Sequence, residues 1–120
     1  MKNRILVISK SPIIASMIEL ALGSYTAEHA FSLDAALEIT QDQKQQPNLF
    51  IVEDRFVSNQ VYGLKMLRSM HPTVPVLALM TRQDPTWAAC LSDAGASACF
   101  YGCFSESKKL KRTIERVLGK

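Results

Sequence analysis

Ile5-Leu6-Val7-Ile8-Ser9-Lys10-Ser11-Pro12, ILVISKSP, is the stretch that decides the fold. Four apolar residues stop at a short polar turn, and a proline follows. An unbroken apolar run is how a strand buried on both faces reads. Proline suits the first turn of a helix, where its missing N–H costs nothing. The stretch therefore predicts a parallel strand handing over to a helix. In open α/β sheets the chemistry lies outside the carboxyl ends of the strands. Ser9, Lys10 and Ser11 thus stand where a functional site is expected.

Working outward, the same alternation repeats. Arg4–Ile8 predicts the first strand. Pro12–Leu22 predicts a helix with Ile14, Met17, Ile18 and Ala21 on its inner stripe and Gly23 as its stop. Tyr25–Ala30 predicts a half-polar edge strand. Ser32 is the expected N-cap of a helix running to about Lys44 and buried through Leu33, Ala36 and Leu37. Leu49–Val52 predicts a second buried strand, closed by Glu53 and Asp54. Val61, Leu64, Leu67 and Met70 form a helical stripe that ends at His71-Pro72. Pro75–Met80 is a third buried strand, and Pro85 opens a short helix carrying Trp87 and Leu91. Ala98–Tyr101 is a final strand, and Ser105 or Ser107 caps a last helix with Leu110, Ile114, Val117 and Leu118 inward.

Five strand–helix units imply right-handed crossovers and a parallel sheet covered on both faces. The expected fold class is α/β, a flavodoxin-like (βα)5 three-layer sandwich with strand order 2-1-3-4-5. With 120 residues, one domain over residues 1–120 is expected, large enough to bury its own core. No repeat or linker interrupts it. No apolar run is long enough to span a membrane, and only four apolar residues follow Lys2 and Arg4, too few for a signal peptide. The cytoplasm is the expected location. Cys90, Cys99 and Cys103 are odd in number and lack a CxxC pair, so packing residues or incidental thiols are expected rather than a disulfide framework or a zinc site.

The net charge of +3 is unevenly spread. From Ser105 to Lys120, six basic residues (Lys108, Lys109, Lys111, Arg112, Arg116, Lys120) stand against Glu106 and Glu115. That segment carries +4, which leaves the rest of the chain at −1. The plain reading is the solvated face of a terminal helix. The sharper one is a docking face for an acidic partner or a nucleic acid. No aromatic or Gly-rich element is interleaved, which argues against nucleic acid.

Taken in order and spacing, ILVIS.SP, PNLFIVE, GLKMLRSMHPTVPVLAL, AGASACF and the turn at Phe104 into a basic amphipathic helix resemble a CheY-like response-regulator receiver domain, over the whole chain. These are scaffold features, none of them specific alone. The resemblance implies phosphotransfer, in which an aspartate ending the third strand accepts a phosphoryl group from a histidine kinase. Further carboxylates hold Mg²⁺, and a hydroxyl and a lysine hold the product anion. Carried over residue by residue, the acidic pair falls on Ser9 and Lys10 and the acceptor on Glu53. The hydroxyl falls on Met80, with Thr81 one place late. The lysine falls on Gly102, the proline after it on Cys103, and the fifth-strand aromatic on Cys99. Every chemical position departs from the family's pattern.

These departures remove the reaction. Ser9 is neutral and Lys10 a cation, so a Mg²⁺ site loses its negative ligands. Glu53 is one methylene too long for an in-line attack that tolerates little error. Gly102 supplies no ammonium, and Met80 no strong hydrogen bond. The expectation is a degenerate pseudo-receiver, not an enzyme, with no metal and no cofactor. Asp54 would be a residual acceptor only if the third strand slipped by one residue, which turns its side chain to the other face. Lys10 and Glu53 are expected at neighbouring strand ends. Two arrangements stay open: the ammonium pairs with the carboxylate in the metal's place, or both side chains splay into water. A longer carboxylate also imitates a phosphorylated aspartate, and a single fixed conformation is expected.

The expected function is phosphorylation-independent signalling through protein contacts. The resemblance implies a face made by the fourth helix, fifth strand and fifth helix, with Trp87, Phe100, Tyr101 and the basic residues Lys108, Lys109, Lys111, Arg112 and Arg116. The partner would be another protein, the chain's own output domain or a second copy. Phe100 and Tyr101 alternate in a strand, so one should face the core and one should not. Two alternatives remain. One is a receiver still phosphorylated at Glu53 or Asp54. The other is an anion- or nucleotide-binding module using Lys10 and Ser11 before the helix at Pro12, although neither GxGxxG nor GxxxxGK[ST] is present.

Overall fold

Apolar runs at Ile5–Ile8, Leu49–Val52 and Val76–Met80 leave these strands no polar face, so they must be covered on both sides. The computed structural model describes residues 3–23, 25–41, 46–53, 60–80, 83–101 and 107–119. In chain order the elements are β1 (Asn3–Ile8), α1 (Pro12–Leu22), β2 (Tyr25–Ala30), α2 (Leu33–Ile39), β3 (Leu49–Glu53), α3 (Gln60–Met70), β4 (Val76–Met80), α4 (Pro85–Asp93), β5 (Ala98–Tyr101) and α5 (Ser107–Val117). The strands form one sheet in the order β2-β1-β3-β4-β5, and every neighbouring pair is parallel. This is the flavodoxin-like sandwich expected from the alternation.

Strand periodicity divides the core into two layers. Ile5, Val7, Leu49, Ile51, Leu77 and Leu79 pack against Ile14 and Ile18 of α1 and Leu110 and Ile114 of α5. Leu6, Ile8, Phe50, Val52, Val76, Ala78 and Met80 pack against Ala36 of α2, Leu64 and Leu67 of α3 and Leu91 of α4. At the start of β3, Asn48 ties the strand to β1. Its N–H donates to the Arg4 carbonyl at 2.8 Å, and its Oδ1 accepts from the Arg4 N–H at 2.8 Å. Edge strand β2 is guarded by α1, because the Ala27 N–H donates to Glu19 Oε2 at 2.9 Å. A blocked edge amide is a poor template for another strand.

Local signals set most boundaries. Pro12 opens α1, and Gly23, at φ +67°, ends it with its N–H on the Glu19 carbonyl. The Asp84 side chain accepts from the Trp87 N–H and caps α4 just before Pro85. The Ser32 hydroxyl accepts from the Ala35 N–H and caps α2. Ser105 lies outside the described residues, and α5 begins at Ser107.

Three expectations are corrected. Helix α2 stops at Ile39, not near Lys44, because Thr40 turns its hydroxyl back onto the Ala36 carbonyl and is itself buried. Met70, expected on the inner stripe of α3, is 49% exposed. Steps of three residues fall about 60° short of a full turn, so Met70 lies half a turn from Val61. In α1 the buried places go to Ile14, Ala15, Ile18 and Leu22, while Met17 and Ala21 are only half-buried.

The end of α2 is held by a buried histidine. His71, 4% exposed, has Nε2 3.1 Å from Thr40 Oγ1. The Thr40 hydroxyl spends its one proton on the Ala36 carbonyl at 2.9 Å, so His71 Nε2 carries a proton and donates. The tautomer leaves Nδ1 as a bare, buried nitrogen with no hydrogen bond among the described residues. Burial pushes the His71 pKa below its ordinary 6.5. The unfolded chain therefore binds a proton before the folded one does. The stability contributed by His71 is complete above about pH 6.5 and falls as pH drops from there through the lowered folded pKa, by up to about 1.4 kcal/mol per pH unit. Urea titrations at several pH values should show this slope in the natural protein. They should show it reduced in His71→Gln, and equal slopes in the two would contradict the assignment.

Candidate functional site

The carboxyl ends of β1, β3 and β4 bring the candidate residues to one end of the sheet. The register pairs Ile8 with Val52 and Glu53 with Leu79. One step further along β1 is Ser9, so Ser9 lies beside Glu53. Alternation sets Glu53 on the side of Leu49 and Ile51, towards α1 and α5. It is 2% exposed. Met80 follows Val76 and Ala78 into the opposite layer, with α2, α3 and α4.

Ser9 is fully buried and hydrogen-bonded on several sides. Its N–H donates to the Ala30 carbonyl at 3.1 Å. Its Oγ donates to the Ser11 carbonyl at 2.8 Å, which closes the turn before Pro12. His29 of β2 adds a third tie, with Nε2 2.8 Å from the Ser9 carbonyl and 3.2 Å from Ser9 Oγ. A carbonyl only accepts, so Nε2 carries the proton. The Phe31 ring meets the imidazole edge-on, with centroids 4.4 Å apart, a favoured geometry for such rings.

Neither of the two expected arrangements of Lys10 and Glu53 holds, since Glu53 is buried rather than splayed into water. Lys10 is exposed, and no ion pair joins it to Glu53. The ion pair found among the described residues joins Arg4 and Glu28 at the other end of β1. The Lys10–Glu53 pairing is therefore corrected, and the reason is register. Ser9 takes the position next to Glu53, and the turn closed by Ser9, Ser11 and His29 points the next residue outward. Glu53 stays inside the sheet while Lys10 stays in water.

Among the described residues, the end of β1 offers Mg²⁺ no acidic ligand. That ion takes oxygen ligands, several of them charged. At the end of β1 the structure offers a neutral hydroxyl turned onto Ser11, an imidazole N–H that donates and a lysine. Among the described residues no group of three His, Cys, Asp or Glu side chains is placed to hold a metal ion. Asp54, Thr81, Gly102 and Cys103 lie outside the described residues.

The second region is the far edge of the sheet. Phe100 is 7% exposed and packs in the core, whereas its neighbour Tyr101 is 51% exposed, as strand alternation requires. Trp87 is half-buried against the core layer of α2, α3 and α4, so it fills a groove rather than standing out as a contact. Between α4 and the sheet, Met80, Pro85, Ala88, Cys99 and Tyr101 line a shallow cleft of about 200 Å³. Burial pushes the Cys99 thiol up, partly offset by a hydrogen bond with Ser92, and a protonated thiol is a poor nucleophile. Lys108, Lys109, Lys111, Arg112 and Arg116 are all exposed along α5. Of the residues that shape these regions, His29 stands in no sequence motif. Its only signal was the half-polar pattern of an edge strand.

No family model matches the sequence, and no curated protein matches it. Solved structures do match in fold. A response regulator from Thermotoga maritima superposes with a TM-score of 0.89 at 16% identity, covering 100% of both chains. The chemotaxis response regulator CheY4 of Vibrio cholerae gives a TM-score of 0.81 at 24% identity, over 98% of this chain and 99% of that one. NtrX from Brucella abortus, solved in complex with ADP, gives 0.86 at 22% identity, over 99% of this chain but only 26% of the longer one. At these identities the likeness is one of fold. No helix among the described residues is long and apolar enough to cross a membrane.

Proposed function

We propose that this chain, whose fold is that of the CheY-like response-regulator receiver domains, is a pseudo-receiver that signals through protein contacts without phosphotransfer. The observation that carries this reading is the closed end of β1. Ser9 is buried beside Glu53, held by His29 and Ser11, and Lys10 points to water where the fold family places acids. Phosphoryl transfer depends on positioning and on a metal that neutralises the phosphoryl oxygens. An end of β1 that offers Mg²⁺ no acidic ligand among the described residues does not meet the second requirement. The buried Glu53 has little room for the first, since an in-line attack needs the reacting atoms close and aligned.

The domain is not an enzyme in this reading and takes no cofactor. Its likeness to named response regulators supports a place in two-component signalling, in the bacterial cytoplasm. The match to a quarter of NtrX supports an output domain on the same chain as one partner. A separate protein or a second copy at the α4–β5–α5 face is the other. Acetyl phosphate with Mg²⁺, followed by intact mass, tests the claim. The expected result is an unchanged mass. A gain of one phosphoryl group, mapped to Glu53 or Asp54, would show that the acceptor chemistry survives.

A further inference from the structure

The basic residues of α5 are not spread evenly round the helix. At 100° per residue, Leu110, Ile114 and Val117 define its inner face. Lys109, Arg112 and Arg116 then fall on one flank with Thr113, and Lys108, Lys111 and Glu115 fall on the other. The first flank carries three positive charges and no acid. The second carries two positive charges and one negative. The all-cationic flank faces the outer edge of the sheet, where Lys109, Arg112, Thr113 and Arg116 enclose a groove of about 480 Å³ with Phe100 of β5 beneath them. Strand β5 ends the sheet, so its outer backbone edge has no neighbouring strand among the described residues.

We propose that this groove binds an extended acidic segment of a protein partner. The proposal rests on the reading of the chain as a protein-contact module and names the chemistry of its partner. Charge selects an acidic ligand, since Arg112 and Arg116 both line the groove and its described lining residues include no carboxylate. Shape selects an extended chain. Lys109 to Arg116 spans about 10 Å along the helix, and same-side residues of an extended strand repeat about every 6.7 Å. Two or three acidic side chains at alternate positions therefore match the row of cations. The edge of β5 can add backbone hydrogen bonds to a strand lying along it. A nucleic acid is the lesser fit, because Phe100 is buried and cannot offer its face to a base.

The test uses the intact chain and a fluorescein-labelled peptide of about seven residues alternating Glu and Thr. Fluorescence anisotropy at low salt should show binding that weakens steeply as salt is raised. Two double variants change the net charge equally. Arg112→Glu with Arg116→Glu alters the groove flank, and Lys108→Glu with Lys111→Glu alters the other. The first pair should weaken binding at least about tenfold and the second less than about threefold, with circular dichroism unchanged in both. Without any variant, the peptide should shift the NMR signals of Phe100 and Thr113 more than those of Lys108 and Glu115. Equal losses in the two variants, no binding by the natural chain, or tighter binding of a single-stranded oligonucleotide would each overturn the proposal. Phosphoryl uptake from acetyl phosphate would sink the pseudo-receiver reading and leave this result standing, so the two failures are distinguishable.

Discussion

Phe50→Ala should destabilise the domain by about 3–5 kcal/mol, the usual cost of truncating a buried aromatic ring. Phe50 is fully buried in β3, the central strand of the sheet. Its ring lies against the His71 imidazole, with centroids 5.4 Å apart. Removing it opens a void between the sheet and α3, and it also strips the apolar cover from the His71–Thr40 hydrogen bond. The neighbours are held by helices on one side and by paired strands on the other, so little collapse is available to fill the space. A domain of this size has only about 5–15 kcal/mol in total, so the loss is a large fraction of it. Urea unfolding should show a much lower midpoint with a similar slope. The pH dependence assigned to His71 should also shrink, since a wetter site disfavours the charged imidazole less. A loss below about 1 kcal/mol would mean that the core is not packed around this ring as described.

Gly95→Val should cost about 2–5 kcal/mol, through two separable causes. The first is backbone conformation. Gly95 sits at φ +119°, in the turn where α4 ends and β5 is about to begin, and a β-branched residue is strained there. The second is space. A Cβ at this position would stand 2.5 Å from Arg68 Cγ. Arg68 is not a loose end that simply swings away, because its Nη1 donates to the Val74 carbonyl at 3.2 Å and ties α3 to the turn before β4. The causes come apart in a double-mutant cycle with Arg68→Ala. In that background the steric part disappears and the conformational part, about 1–3 kcal/mol, remains. Additive losses in the cycle would mean that the Arg68 contact contributes nothing.

The two positions differ in how readable they were. Phe50 stands in an apolar run that can only be a buried strand. Gly95 is a local helix-stop signal, but nothing nearby in sequence points to Arg68, 27 residues earlier, as the side chain lying across it. The same contrast runs through the fold. The bounds of α1, β2 and β5 match expectation because Pro12, Gly23 and short apolar runs are local signals. The end of α2 is not legible locally, because the sequence from Gln41 to Gln46 is as compatible with a polar helix as with a loop. What ends the helix is Thr40 meeting His71, 31 residues later.

At the candidate site, the resemblance to receivers pointed to Ser9, Lys10, Glu53 and Met80, and it left the arrangement of Lys10 and Glu53 open. The sequence determined that strands and helices alternate, that three strands are buried on both faces, and that a neutral Ser9 and a cationic Lys10 follow the first strand. Those facts follow from side-chain period and residue chemistry, which are local. Only the tertiary structure decided which strand ends meet. The parallel pairing of Ile8 with Val52 joins residues 44 apart and sets Ser9, not Lys10, beside Glu53. The pairing of Val7 with His29 brings an imidazole within reach of Ser9 from across the chain. Register is settled by packing both faces of the whole sheet at once, and no short stretch of sequence carries it.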